Sequence, residues 1–443
     1  MKKFLFIPLA IVLVTALIFG GCKPAPEIPE EIRVGCPTAL TGPLAGAGIG
    51  SSFGVRAAVD DINKEGGVYV EEYGKKLPVR LILVDTESAP IKAGTLAEDL
   101  ILRDKVNLIT VGMEPPDFVS PASVVCERYK IPHVSGIGPY EPWQGLRLSV
   151  TPTWEYTWAL GYCVATPAPP GDFREGNPGY IAVDIWLDAL SVHADQTNKR
   201  VAALIEDDPD GRGWYMGFAP AIAAAGFDVY RLEDEFGIAP LATTDFSPLI
   251  EEWRDNDCQI LIGLTTAPFL TTFLRQARML DYEPKIAFPA KAVLFYQDIA
   301  AMGGDLPMGL STEWWWDPII QDSPGIAGTT PQSLYERWHE ESGEPLNQFI
   351  GAGYTPAQVL FDAIERAGTL DADAINRAIG ETDLMTIYHR VVFDKEDQFN
   401  RCPLVFAQWQ AVDKPEKWEA KIIRSFHDFV PTTGEFIFPI PYD

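Results

Sequence analysis

Residues 33–68 read RVGCPTALTGPLAGAGIGSSFGVRAAVDDINKEGGV, and this stretch decides the fold prediction. The apolar run at 32–37 predicts a strand. Apolar residues at helical spacing from Ser51 onward predict a helix, which the glycine pair at 66–67 ends. A flexible glycine-rich loop is expected between the two, with Ser51 and Ser52 as candidate helix caps. The stretch is therefore a strand–loop–helix unit.

The rest of the chain repeats this unit in two series, separated by a loop at 166–179 that is dense in proline and glycine. Strands that alternate with helices imply parallel sheets covered by helices on both faces. We therefore predict an α/β protein of two doubly wound parallel-sheet lobes, a division that also suits a chain of 443 residues. Ligands of such sheets bind outside the carboxyl ends of the strands. The predicted strands of the two series are 32–37, 78–85, 106–112, 131–136, 200–207, 227–233, 258–265 and 285–290.

Composition excludes several classes of function. The apolar fraction of 47% and the charged fraction of 22% are typical of globular proteins. A net charge of −27 argues against nucleic acid as a partner, because phosphates attract lysine and arginine. The five histidines are scattered and no CxxC motif occurs, so we expect neither a metal site nor a cofactor.

The N-terminus carries a targeting signal. Lys2 and Lys3 precede a continuous apolar run at 4–19, as in a secretory signal peptide. Residues 1–21 resemble a bacterial lipoprotein signal, which implies a lipidated Cys22 as the mature N-terminus and a membrane anchor. The proline- and glutamate-rich segment at 22–32 would then be an extended tether. The alternative is an uncleaved membrane helix; both place the remaining chain outside the cytoplasm, in the periplasm or at the cell surface.

Five further cysteines follow Cys22. Export permits disulfides, but an odd number leaves at least one thiol unpaired within the chain. Cys36 and Cys258 adjoin apolar runs and are predicted to be buried small apolar residues.

Two short motifs in the first unit suggest enzymes. Gly50-Ser51-Ser52-Phe53-Gly54 matches GxSxG, but a nucleophile elbow needs a strand that runs directly into the serine. Gly46 and Gly48 approach GxGxxG, but Ser51 stands where the third glycine belongs. A secreted esterase using Ser52 therefore stays a remote alternative that rests on GxSxG alone.

The same first stretch resembles the start of periplasmic solute-binding proteins of the branched-chain amino acid ABC transporter type. In these proteins an opening strand leads to a TGP-A-G segment and a helix that ends in DIN and GG. The resemblance covers nearly the whole mature chain through an ordered set of segments. The further segments are LVDTESAPIKAGTLAEDLI (83–101), KRVAALIEDDPDGRG (199–213), DFSPLIEEWRDNDCQILIG (245–263), LRQARMLDY (274–282), GAGYTPAQVLFDAIERAG (351–368) and VVFDKEDQFN (391–400).

This resemblance implies a monomeric, non-enzymatic protein of two lobes that closes on a small solute and presents it to a membrane permease and its ATPase. A ligand-sensing receptor of the same fold is the alternative. The implied first lobe is 33–152 with 317–402, and the second is 153–316 with 403–443. Three hinge crossings are implied near 150–153, 313–317 and 402–406.

The ligand site is where this sequence departs from the family pattern. The loop that usually supplies a serine for the ligand carboxylate instead carries Glu114, Asp117 and two prolines. The acid that usually pairs with the ligand ammonium is replaced by Ala290, beside Lys291. The full set of candidate ligand-binding residues is Glu114, Asp117, Ser135, Gly136, Tyr140, Asp210, Thr266, Lys291, Trp314, Trp315, Trp316 and Phe349.

These departures shift the expected ligand. An unpaired buried charge is costly, so an ordinary branched-chain α-amino acid is less expected than in the family at large. Lys291 could meet a ligand carboxylate, or a cationic ligand could lie near Glu114, Asp117 and Asp210. A third interpretation is that these charges form a solvated rim.

The run STEWWWDP at 311–318 falls on the implied second crossing. Side chains alternate on a strand, so Glu313 and Trp315 should face one way and Trp314 and Trp316 the other. Indole rings fill cores, and they also form platforms for flat rings or cations. We expect at least one of the three tryptophans to contact an aromatic or otherwise apolar solute.

Overall fold

The computed structural model describes residues 28–112 and 115–442. The predicted signal peptide, the lipidation site Cys22 and the candidate ligand residue Glu114 lie outside the described residues. Within the described part of the chain, no helix is long and apolar enough to cross a membrane.

Strands and helices alternate through most of the described chain. The strands are β1 (Ile32–Thr38), β2 (Val68–Val70), β3 (Lys75–Leu77), β4 (Val79–Asp85), β5 (Leu108–Val111), β6 (His133–Pro139), β7 (Thr157–Tyr162), β8 (Arg200–Glu206), β9 (Asp228–Val229), β10 (Ile238–Ala239), β11 (Ile260–Leu264), β12 (Ile286–Phe288), β13 (Ser311–Trp314), β14 (Asp383–Met385), β15 (Arg390–Val392), β16 (Phe399–Arg401), β17 (Val405–Ala411) and β18 (Trp418–Arg424). The α-helices are α1 (Ala45–Lys64), α2 (Pro90–Leu102), α3 (Pro116–Tyr129), α4 (Tyr140–Ser149), α5 (Ala182–Ser191), α6 (Pro209–Ala224), α7 (Ser247–Asp255), α8 (Ala267–Met279), α9 (Tyr296–Met302), α10 (Pro331–Ser342), α11 (Phe349–Ala367) and α12 (Ala372–Gly380).

The first sheet has six parallel strands in the order β16-β7-β6-β5-β1-β4. Leu108 of β5 packs into the core that contains α1 and α11, whereas the next residue, Ile109, packs into a separate core with α2 and α3. Because successive strand residues point to opposite faces, helices cover both faces of this sheet. We call the first sheet and its helices the first lobe.

Two further sheets form the second lobe. One is parallel, in the order β10-β8-β11-β12 with β9 also beside β8, and the other is antiparallel, in the order β13-β17-β18. A parallel bridge between Ala287 and Leu310 joins them. The predicted α/β architecture of two parallel-sheet lobes is confirmed, and the antiparallel sheet is an addition that the strand pattern did not reveal.

The chain passes between the lobes three times. Strand β7 pairs with β6, so the first lobe continues to Tyr162, beyond residues 150–153 where the resemblance implies the first crossing. The second passage follows β13, and the third lies between β16 and β17. Strand pairing therefore extends the first sheet beyond the first implied crossing, and the lobe boundaries stay predictions.

Helix α1 begins earlier than its sequence pattern predicts. It starts at Ala45, so Ser51 and Ser52 lie inside the helix and do not cap it. The Ser51 hydroxyl donates to the Ala47 carbonyl oxygen at 2.5 Å, and the Ser52 hydroxyl donates to Ile49 at 3.0 Å. A serine within a helix is not a nucleophile elbow, so the GxSxG match carries no esterase function.

Helices α1 and α11 cross at unusually short range. A Cβ atom at Gly54 of α1 would lie 1.9 Å from the Ile350 carbonyl oxygen of α11, so only glycine permits this approach. Since α11 begins at Phe349, the contact fixes that ring relative to the N-terminal end of α1.

The five cysteines after Cys22 are all buried. Cys36 and Cys258 are 0% and 2% exposed, which confirms their prediction as buried apolar residues. Burial raises the pKa of Cys258 to about 12, so this thiol stays protonated and unreactive at neutral pH.

Candidate functional site

The carboxyl ends of β8, β11 and β12 meet at one edge of the second lobe and carry its polar candidates. The Asp208 carboxylate accepts from the Gly211 backbone N–H at 2.6 Å and caps α6, which places Asp210 in the first turn of that helix. Lys291 lies in the short helical turn after β12. Its ammonium donates to the Asp210 carboxylate at 2.8 Å, so two of the predicted ligand residues form an ion pair.

The electrostatics of this pair keep Lys291 charged. Burial opposes the ammonium form, but attraction from Asp210, with smaller contributions from Asp208 and Glu206, outweighs it and raises the pKa of Lys291. The Asp210 side chain is 44% exposed, whereas that of Lys291 is 27% exposed. The pair therefore stands at an open edge, with its cation the more enclosed partner.

Ala290, immediately before Lys291, has a φ of +35°. A residue with a side chain adopts a positive φ only at an energetic cost, and residues held in this conformation often lie at functional sites. The side chain of Ala290 is fully buried, so the second lobe presents Lys291 and not Ala290 to the edge.

Thr266 is hydrogen-bonded to Glu206 within the second lobe. Its backbone N–H donates to the Glu206 carboxylate at 2.6 Å and its hydroxyl donates to the same carboxylate at 2.8 Å. Glu206 is the last residue of β8 and is 3% exposed. The two residues thus lock the ends of β8 and β11 together beneath Lys291 and Asp210.

Four aromatic rings from both lobes lie in a row, each in contact with the next, and we call them the aromatic cluster. The centroid distances are 5.6 Å from Tyr162 to Trp315, 5.5 Å from Trp315 to Phe349 and 5.4 Å from Phe349 to Phe295. The Trp315 backbone N–H donates to the Gln348 side chain at 2.9 Å, which fixes the tryptophan on α11. Its indole Nε1 is buried and has no hydrogen-bond partner among the described residues.

Tyr162 links the aromatic cluster to the ion pair. It is the last residue of β7 and is half-buried. Burial, with repulsion from Glu313, Asp210 and Glu141, raises the pKa of Tyr162 well above its ordinary value. The hydroxyl therefore stays protonated in a region of carboxylates. We call the group formed by the aromatic cluster, Lys291 and Asp210 the strand-end cleft, the name reflecting its position at the carboxyl ends of the strands.

The three tryptophans have different neighbours. Trp314 packs edge-on against Trp409, with ring centroids 5.9 Å apart. The Trp316 indole lies against Gly351 and donates to the Ile387 carbonyl oxygen at 3.0 Å. All three are buried, and Trp315 alone of the three joins the aromatic cluster.

The candidates of the first lobe have partners within that lobe. The Ser135 hydroxyl faces the Trp158 carbonyl oxygen at 3.4 Å, and Ser135 and Gly136 line a cavity of about 10 Å³, no larger than one water molecule. The Tyr140 hydroxyl donates to the Asp397 carboxylate at 2.7 Å, and Arg401 lies 5.4 Å above the same ring. Asp117 lies in the first turn of α3, and its side chain is not described.

Two sets of contacts hold predicted site residues: the ion pair of Asp210 with Lys291, and the aromatic cluster with Trp315 and Phe349. The cluster also includes two residues that the sequence did not suggest. Tyr162 was missed because the implied first crossing preceded β7, so the residue was not recognised as a strand end. Phe295 lies at the N-terminus of α9, between Lys291 and the tryptophan run, and its only sequence signal was its place in a loop after a strand.

Comparisons with known proteins agree with this architecture. The sequence model of the family described as "Periplasmic binding protein" matches residues 31–414. The chain is 23% identical over 408 residues to "Leu/Ile/Val-binding protein homolog 7" of Brucella abortus (strain 2308), a match that covers 90% of this chain and 94% of that protein.

Solved structures share the fold over almost their full length. A leucine binding protein from Thermotoga maritima gives a TM-score of 0.67 at 18% identity, covering 89% of this chain and 99% of that one. A solute binding protein of an ABC transporter from Rhodopseudomonas palustris, in complex with 3,4-dihydroxy benzoic acid, gives 0.66 at 18% identity, covering 91% and 99%. These relatives are solute-binding proteins and not enzymes. Because the family match spans most of the chain, the protein belongs to the periplasmic binding protein family, with the type I fold that the sequence analysis anticipated.

Proposed function

We propose that this protein is the solute-binding component of an ABC importer and that its solute is a small aromatic carboxylate. The observation that carries the proposal is the position of Trp315. Its ring lies between Tyr162 of the first lobe and Phe349 of α11, on the segment that joins the lobes.

The aromatic cluster favours a flat ring as the guest. Aromatic rings associate in offset or edge-on arrangements at centroid distances of about 4.5–7 Å, beyond the gain from buried area alone. Trp315 also offers its unpartnered Nε1–H as a donor, which suits a ring that carries a hydroxyl or carboxylate oxygen.

Lys291 favours a carboxylate on that ring. Its ammonium is charged and partly enclosed, and its partner Asp210 is the more exposed of the two. Exposed ion pairs contribute little stability, so Asp210 can yield its place to a ligand carboxylate at small cost. A charge-assisted hydrogen bond in a closed cleft would be stronger than the pair it replaces.

The amino-acid alternative is less well supported. No acid stands at Ala290, the place of the family's ammonium partner, and Asp210 is already paired with Lys291. The Rhodopseudomonas neighbour was solved with an aromatic acid and the Thermotoga neighbour is named for leucine, so the fold accommodates both classes. The aromatic cluster and Lys291 of this chain favour the former.

The cellular role extends this proposal. The lobes would be residues 33–162 with 317–402 and residues 163–316 with 403–443, the first crossing being moved to follow β7. A lipidated Cys22 would hold the protein outside the cytoplasm, where the lobes close on the solute and present it to the permease as a monomer.

A ligand screen by thermal shift and titration calorimetry tests the proposed solute class. A ligand that binds only the folded protein stabilises it by RT ln(1 + [L]/Kd), about 2.7 kcal/mol at about 100 times Kd. We expect 3,4-dihydroxybenzoate and 4-hydroxybenzoate to raise Tm, and leucine, valine and putrescine to leave it unchanged. Stabilisation by leucine or valine without any response to the aromatic acids would refute the proposal.

A further inference from the structure

A concave region is lined by Phe295, a member of the aromatic cluster, and we call it the side groove. It has a volume of about 690 Å³ and runs between the outer face of α1, the end of α10 and the start of α9. Pockets that bind small organic ligands commonly measure about 300–1,000 Å³. The side groove is therefore large enough for a ligand of its own.

One wall of the side groove is apolar and aromatic. Ile49 and Phe53 are one helical turn apart on α1, and Phe53 meets Trp338 of α10 edge-on with ring centroids 5.1 Å apart. Phe295 closes the wall from the second lobe. Ile49 is 45% exposed and so offers apolar surface to an occupant of the side groove.

The charged groups of the side groove are unevenly matched. Arg56 is paired with Glu341 at 2.9 Å and lies 5.2 Å above the Phe53 ring, so this cation is already engaged. Glu344 accepts a hydrogen bond from the Gln297 side chain at 2.9 Å. Carboxylates thus outnumber cations in the lining, which disfavours an anionic guest.

Asp298 is the carboxylate without a partner. It lies at the start of α9, is half-buried, and forms no ion pair or hydrogen bond among the described residues. Burial raises the pKa of Asp298, and no basic side chain acts against it. A half-buried carboxylate that faces a cavity without a counter-charge would be stabilised by a bound cation.

We propose that the side groove binds an organic cation, a primary or quaternary ammonium carried on a small apolar body. Asp298 would pair with the ammonium, and the rings of Phe53, Phe295 and Trp338 would cover the apolar part and attract the charge through their faces. This site adjoins the strand-end cleft through Phe295 but differs from it in charge, since Lys291 in the cleft favours an acid.

An occupant of the side groove would contact both lobes. Asp298 and Phe295 belong to the second lobe, whereas Ile49, Phe53 and Trp338 belong to the first. Phe295 also packs against Phe349, so the two sites share a ring. A ligand that touches both lobes stabilises the arrangement in which they meet, and each ligand then tightens the binding of the other by the same factor.

Calorimetric titration of the full-length folded protein at pH 7.5 tests the proposal with three probes of one shape: benzylamine, benzyl alcohol and benzoate. We expect benzylamine to bind at least about tenfold more tightly than benzyl alcohol, because only the amine pairs with Asp298. Asp298→Asn should remove that difference. Asp184→Asn is the matched control, since burial also raises the pKa of Asp184, a half-buried carboxylate of α5 outside the side groove.

A second variant keeps the test informative if Asp298→Asn is poorly folded. Ile49→Trp adds bulk at an exposed position in the wall of the side groove. It should weaken the binding of benzylamine at least about tenfold and leave the binding of benzoate unchanged. Absence of benzylamine binding to the native protein, or equal binding in Asp298→Asn, would overturn the proposal. Loss of benzoate in Lys291→Met with benzylamine retained would separate failure at the cleft from failure at the side groove.

Discussion

At the scale of single residues, Trp315 and Lys291 define the character of the strand-end cleft. Trp315 brings a ring from the passage between lobes, and Lys291 brings a charge from the loop after β12. The tryptophans on either side of Trp315 pack against other residues. Trp314 contacts Trp409, and Trp316 contacts Gly351 of α11. The proposed solute recognition would therefore depend on few side chains, each of which can be tested alone.

Replacement of Lys291 by methionine should selectively weaken the binding of aromatic acids. Methionine keeps most of the apolar stem and removes the ammonium, so the Kd for 3,4-dihydroxybenzoate should rise at least about tenfold, the worth of one hydrogen bond to a charged group. Calorimetry measures the change. Lys285→Met is the control, because Lys285 donates to the Gln196 carbonyl oxygen outside the cleft. Equal losses in both variants would show that the charge acts non-specifically.

Sequence reasoning named individual candidate residues but did not predict their pairing. Lys291 and Asp210 were separate candidates, one for an anionic and one for a cationic ligand. Their ion pair joins loops 81 positions apart, and only the packing of β8 and β12 in one sheet brings the two side chains to 2.8 Å. Such a distance does not follow from spacing along the chain.

At the scale of elements, the crossing that follows β13 combines apolar packing with buried charge. Asp317, three residues after the end of β13, is 8% exposed, and its carboxylate accepts from the Ile319 backbone N–H at 3.1 Å. Burial raises the pKa of Asp317 to about 6 from an ordinary value of 3.8. This crossing is therefore sensitive to protonation.

Asp317 should make the folded state less stable as pH rises from about 4 to about 6. The folded protein retains in that range a proton that the unfolded chain releases, so raising the pH favours unfolding. Relative to Asp317→Asn, the native protein should lose roughly 2–3 kcal/mol of unfolding free energy across this range and no more above it. Urea unfolding at pH 4 and 7 measures the difference, and a pH-independent difference between the two proteins would contradict the assignment.

The contact between α1 and α11 should be intolerant of any side chain. Gly54→Ala places a methyl group 1.9 Å from the Ile350 carbonyl oxygen, so the helices must separate at a cost of about 1–3 kcal/mol or more. Gly213→Ala in α6 is the matched control, because nothing lies within 4 Å of its added Cβ. There the lower chain entropy of alanine should leave stability unchanged or raise it by up to about 1 kcal/mol. Urea unfolding of the two variants compares them directly, and equal stability would contradict the close approach.

The start of α1 shows why element boundaries were harder to predict than element types. Glycines at 46, 48 and 50 oppose helix formation by about 1 kcal/mol each, so the pattern favours a loop before Ser51. Tertiary packing reverses that preference, since a Cβ at Gly48 would lie 1.8 Å from the Ala39 carbonyl oxygen. The alternation of strands and helices, by contrast, depends on apolar periodicity over whole elements and was predicted correctly.

At the scale of the whole molecule, two lobes joined by three chain passages form an arrangement that would allow them to close on a solute. Each lobe has its own parallel sheet, whereas the aromatic cluster takes rings from both. A net charge of −27 keeps the surface soluble and repels neighbouring copies, consistent with the monomer that we expect.

The proposed anchor can be tested in the full chain expressed in a bacterial host. Lipidation of Cys22 should send the protein to the membrane fraction and allow incorporation of labelled palmitate, whereas Cys22→Ala should be released in soluble form and remain unlabelled. Cys36→Ala controls for loss of any thiol, because Cys36 is fully buried in the first lobe. Membrane retention of an unlabelled Cys22→Ala protein would favour the uncleaved helix instead.

The place of Trp315 on a lobe crossing also constrains how this protein can evolve. If Trp315 contacts the solute as we propose, a mutation there that admits a new solute would also alter the stiffness of the joint, so specificity and the speed of release would change together. We therefore expect a change of solute class to begin at Lys291 or Phe295, which lie outside the three crossings. Paralogues with different solutes should accordingly diverge at those positions while keeping a large ring at 315.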